Sequence, residues 1–174
     1  MNARARRPQS SRLEKRRIGL RVLGAMLVGN VIWETLHLPL YTLWATGPQR
    51  YLAFVVVHCS VGDLMIATGA LLAAVVLVGR GWPGRSYGRV AALMIMFGLA
   101  YTVFSEWLNV SVRGSWAYAA SMPVLPMLGT GVSPLLQWML VPAAAFAWAW
   151  TGADHKTLGG EPARTCDIVG TSPK

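Results

Sequence analysis

From Gly114 to Ala153 the chain runs 40 residues without an Asp, Glu, Lys or Arg, and between Tyr51 and Gly79 it carries one charge, Asp63. Stretches this long and this apolar read as membrane spans, each needing about 20 residues of helix. Lipid offers no partner for unpaired backbone groups, so only helices and closed barrels cross it. Nothing here alternates like barrel strands. The expected fold class is therefore all-α, an integral membrane four-helix bundle. Charged residues make up 13 % of the 174, against about 25 % in a soluble domain. That excludes a soluble globular enzyme, and the apolar runs exclude a disordered chain. Cys59 falls in a span and Cys166 near the C-terminus, so no disulfide is expected.

The spans are expected at about 18–44, 51–78, 90–110 and 133–150, together a transmembrane domain over 18–151. A Gly- and Pro-punctuated turn, Gly79-Arg80-Gly81-Trp82-Pro83-Gly84-Arg85, separates the second from the third. Residues 111–132 hold Pro123, Pro126, Gly129 and Gly131, which break a helix interior. They are expected to form a periplasmic loop or re-entrant cap, with a fifth span as the alternative. Residues 1–17 make a basic arm, and residues 152–174, rich in Gly, Pro and Thr, a disordered tail.

Net charge is +9, and eight of the sixteen Lys and Arg lie within the first 21 residues. Beside an apolar span such an arm is a topology signal that can also touch anionic lipid headgroups, not a nucleic-acid surface. The arm, the 79–89 linker and the tail carry fourteen Lys and Arg; the opposite loops carry only Arg50 and Arg113. The bias places both termini in the cytoplasm, N-in/C-in, in an inner (plasma) membrane.

Three of the seven acidic residues lie inside spans: Glu34, Asp63 and Glu106. Each costs about 2.5–3.5 kcal/mol to insert. His37, His58, Asn109 and Gln137 are inside as well. With span midpoints near 32, 62, 100 and 142, a rise of 1.5 Å per residue puts His37, His58, Glu106 and Gln137 roughly 6–9 Å to the same side of the midplane. Glu34 and Asp63 lie roughly one turn deeper. Glu34 and His37 are three apart and share a helix face, as do Glu106 and Asn109. His58 and Asp63 are five apart and point about 140° from each other on a regular helix. Trp33 and Trp107, each next to a buried Glu, are candidate pocket walls. In the second span, Gly69 and Ala73 are four apart and are expected to admit a neighbouring backbone closely.

One resemblance spans most of residues 30–142. Trp33-Glu34, Leu38-Pro39-Leu40-Tyr41, His58 with Gly62-Asp63, Glu106-Trp107, Gly114-Ser115-Trp116-Ala117-Tyr118, Met122-Pro123, Gly129-Thr130-Gly131 and Pro134-Leu135-Leu136-Gln137 resemble a family of small bacterial inner-membrane proteins of unassigned function. The resemblance implies a polytopic membrane fold and no known chemistry.

Three function classes stay open. Glu34, His37, His58, Asp63 and Glu106, supported by Asn109, Gln137, Trp33 and Trp107, suit a cation or a divalent metal ion, for transport, sensing or metal handling. Carboxyl and imidazole groups in an apolar pocket also suit acid–base chemistry on a lipid or isoprenoid. The third class is an accessory subunit whose polar groups only hold the bundle together.

Overall fold

The computed structural model describes residues 12–157; most of the basic arm, with its expected anionic-lipid contact, and the tail beyond 157, with Cys166, lie outside them. Four long helices form a ring: α1 (Arg12–His37), α3 (Gln49–Val78), α4 (Tyr87–Glu106) and α5 (Val132–Thr157). Both α1 and α4 pack against α3 and α5. A one-turn helix, α2 (Leu43–Thr46), lies in the first connection, and α4 continues into a six-residue π-helical turn, Trp107–Val112. The segments Arg12–Leu40, Gln49–Val78, Tyr87–Val112 and Val132–Thr151 are each long and apolar enough to cross a membrane. The chain is a multi-pass membrane protein built as a helical bundle.

The boundaries have local causes. The first helix stops at His37 and not near residue 44, because Pro39 lacks an N–H and disfavours helical geometry at Leu38 before it. Gly79 closes α3 with a φ of 75°, a left-handed conformation that glycine adopts without strain. The last helix runs through Pro142 and on to Thr157, past the expected start of the tail.

Each helix turns one narrow stripe inward. On α1 it is Ile18, Val22, Met26, Asn30, Glu34 and His37; on α4 it is Val90, Met94, Gly98, Thr102 and Glu106. On α5 it is Ser133, Gln137, Val141, Ala145 and Ala149. Steps of three or four residues keep one face of a helix in register. Along all three helices the stripe changes from apolar to polar toward the same end of the bundle. The apolar end is completed by Ala67, Ala70, Leu71 and Ala74 of α3 with Trp82 and Phe146. These alanines, not the expected Gly69 strip, are the packing face of α3. Gly69 is exposed, and a side chain there would meet nothing within 4 Å.

At the polar end, residues 113–131 fold over the bundle as a cap. Its tip is a hairpin, β1 (Val124–Leu125) paired antiparallel with β2 (Thr130–Gly131), Val124 opposite Gly131. Backbone bonds from Thr42 N–H to the Ala117 carbonyl (3.0 Å) and from Ala119 N–H to the Leu40 carbonyl (2.9 Å) tie it to the turn after α1. Among the described residues there are four long helices and no fifth.

Candidate functional site

The deepest polar contacts start from the spacing on α1. Glu34 and His37 are both 7 % exposed, and His37 Nε2 lies 3.1 Å from Glu34 Oε2. His37 Nδ1 lies 3.0 Å from Ser133 Oγ on α5, and the Trp33 indole N–H donates to the same hydroxyl at 3.2 Å. With Nε2–H donating to the carboxylate, the Ser133 hydroxyl donates to Nδ1. One chain of contacts then runs from Trp33 through Ser133 and His37 to Glu34, and it fixes the imidazole from both sides.

Gln137 joins this chain to the opposite wall. Its Nε2 lies 2.8 Å from Asp63 Oδ2 on α3, 3.1 Å from Glu34 Oε1 and 3.3 Å from Asn30 Oδ1. An amide nitrogen has two hydrogens, so three acceptors compete for two donors. Glu34 and Asp63 therefore share one donor group across the bundle interior. Asn30 and Ser60, each 1 % exposed, leave the Asn30 amide hydrogens and the Ser60 hydroxyl without a partner among the described residues.

Glu106 is held from the cap. The Tyr118 hydroxyl donates to its carboxylate and accepts a hydrogen bond from Gly131 N–H at 2.9 Å. Tyr118 also packs on Tyr41 (5.6 Å between rings), and Tyr41 packs edge-on against His37 (5.3 Å). Burial, then the nearby Glu106 carboxylate, pushes the Tyr41 hydroxyl well above its ordinary range; burial and the hydrogen bond to Glu106 do the same for Tyr118. Both phenols stay protonated, so Tyr118 remains a donor at any physiological pH.

Some of these groups border a cavity of about 530 Å³, within the usual range of small-molecule sites, about 300–1,000 Å³. Glu34, His37, His58, Asp63, Glu106, Asn109 and Gln137 all line it. The two α3 residues that a regular helix points apart, His58 and Asp63, both reach it because the space is broad. Asp63 faces the interior amide of Gln137, while His58 is exposed and stacks on Phe54 (5.5 Å between rings). Of the two candidate tryptophan walls, Trp33 supports the network through Ser133, while Trp107 is 50 % exposed and packs against Phe104. No Lys or Arg among the described residues lines the cavity.

The same geometry limits metal chemistry. Among the described residues, no three His, Cys, Asp or Glu side chains come together as a ligand set for a metal ion. Both ring nitrogens of His37 already have partners, and Glu106 is bonded to Tyr118.

The sequence reading missed Asn30, Tyr41, Tyr118 and Ser133. Two of them carried a signal. Asn30 precedes Glu34 by four residues and Ser133 precedes Gln137 by four, so each extends a polar face already identified. Tyr118 carried none, because only the fold of the cap brings it to Glu106.

The fold and site define a polytopic helical membrane protein with a capped, acid-lined cavity. The chain matches no protein-family model, no curated protein and no solved structure. Of the family resemblance, the polytopic membrane architecture is what the structure supports.

Proposed function

We propose that the protein binds a cation in this cavity, as part of its transport, sensing or handling. The carrying observation is the convergence of Glu34, Asp63 and Glu106, from three helices, on one cavity that no Lys or Arg among the described residues lines. Acidic groups within a membrane are costly unless they are compensated. Here hydrogen bonds orient them, and apart from His37 beside Glu34 the positive counterpart is left to a ligand. The capped end carries Arg50 and Arg113, the other end Arg80, Arg85, Arg89 and the basic start of α1. By the positive-inside bias, the capped end faces away from the cytoplasm and both termini face it.

Trp116 and Trp138 line the cavity and report on its contents. Tryptophan fluorescence of the detergent-purified protein should change saturably with at least one of Zn²⁺, Mn²⁺ and tetraphenylphosphonium. The response should vanish in Glu34→Gln and Glu106→Gln proteins that retain their helical circular dichroism. Silence toward all three probes would refute a cation site.

A further inference from the structure

The character of the cavity walls narrows the ligand. A metal ion needs several donor atoms converging within about 2–2.6 Å of one point, and the described acidic and imidazole groups form no such cluster. They are instead spread around a space large enough for a molecule of drug size. Between the carboxylates the wall is aromatic: Tyr41, Phe54, Tyr101 and Trp116 all line it. A cation over an aromatic face is attracted by the ring quadrupole, by about 0.5–2 kcal/mol per ring.

The mouth adds a second, independent observation. At the polar end of α3 the only buried residue is Ser60; the helix is held tightly only further along, at Ala67, Ala70, Leu71 and Ala74. Tyr51 and Phe54 on α3 and Tyr101 on α4 line the cavity and are 46 %, 58 % and 46 % exposed. Tyr51, Phe54 and His58 stack in sequence, with ring separations of 6.2 and 5.5 Å and near-parallel planes. They form an aromatic ladder on a membrane-spanning helix. Rings of α3 and α4 that line the cavity and are also exposed at the surface of the bundle present it to a molecule already dissolved in the bilayer. A zwitterionic phospholipid headgroup fits poorly, because its phosphate would face three acidic side chains with no Lys or Arg among the described residues on the lining.

We infer that the ligand is a lipophilic organic cation, an ammonium or phosphonium bearing aromatic or branched apolar groups, entering sideways between α3 and α4. This rests on the cation-binding reading and narrows it. The carboxylates supply the charge, and the ladder supplies the apolar, quadrupolar surface.

The test is equilibrium dialysis of full-length protein in detergent with radiolabelled tetraphenylphosphonium, with EDTA present throughout. Saturable binding of one probe per chain is expected, lost in Glu106→Gln. Phe54→Ala removes an exposed ring, so it should leave the melting temperature unchanged and weaken binding by about 2- to 30-fold. Tetraphenylborate, of the same shape and opposite charge, should not compete. Zn²⁺ binding in a parallel dialysis without EDTA, with no phosphonium binding, would overturn this inference and leave the cation reading standing. Absence of binding by either would overturn both. Phosphonium uptake that ignores Glu106→Gln and Phe54→Ala, or that tetraphenylborate matches, would be partition into the micelle and would overturn the inference.

Discussion

The two ends of the bundle are made from the same four helices and follow opposite packing rules. At one end Ile18, Val22, Met26, Val90, Met94, Val141, Ala145 and Ala149 meet with 8 % exposure or less and no ionisable group among them. At the other, the same stripes carry Asn30, Glu34, His37, Thr102, Glu106, Ser133 and Gln137, and five of these seven, all but Asn30 and Ser133, line a cavity of about 530 Å³. The close-packed end needs only shape, since helices in lipid associate largely through van der Waals contact. The open end needs hydrogen bonds, because each polar group there has lost water. Cohesion and the proposed binding thus fall on different lengths of the same helices, and the two can be perturbed separately.

The largest effect is expected where the two ends meet. Gly98 on α4 lies directly under the Trp138 indole, and a side chain there would collide with the ring. Gly98→Leu should cost about 3 kcal/mol or more, since overpacking a filled core forces both helices apart. In detergent it should abolish a cooperative melt. A normal melt would mean that Trp138 does not join the two ends.

A smaller effect separates them. Met94 is fully buried in the apolar end. Met94→Ala should destabilise by about 2–3 kcal/mol through the cavity it leaves, while phosphonium or metal affinity stays within about twofold. Gln137→Leu removes the amide shared by Glu34 and Asp63, and it should shift affinity more than any apolar-end substitution of equal stability cost. Equal changes of affinity in both variants would erase the distinction between the ends.

The smallest perturbation tests which end faces which compartment. In a background lacking Cys59 and Cys166, a cysteine at the exposed Ser121 of the cap should react with a membrane-impermeant thiol reagent applied to intact cells. One at the exposed Gly84 should react only after the cells are opened. The reverse pattern would invert the proposed orientation.

The number of the spans was legible because lipid makes charge expensive, and uninterrupted apolar length is written directly in a sequence. The acidic lining of the candidate cavity was legible for the same reason. Glu34, Asp63 and Glu106 were conspicuous by their cost, and the three-residue step from Glu34 to His37 placed both on one face. What could not be read was whatever depends on a neighbour. Gly69 and Ala73 looked like a contact strip, yet which side of α3 turns inward is decided by α1 and α4. Trp107 looked like a wall because it follows Glu106, but consecutive helix residues point about 100° apart. The hydroxyl that holds Glu106 comes from a loop whose path no helical period describes.

Trp138 belongs both to the apolar cluster and to the cavity lining, at 3 % exposure. Below it, α5 runs twelve residues to Trp150, about 18 Å along which its buried side chains are apolar. A charge moved across the full membrane potential gains about 2.3 kcal/mol per 100 mV. The indole marks the depth at which the acidic lining gives way to apolar side chains, so a charge resting beside Glu106 still has that apolar length ahead of it.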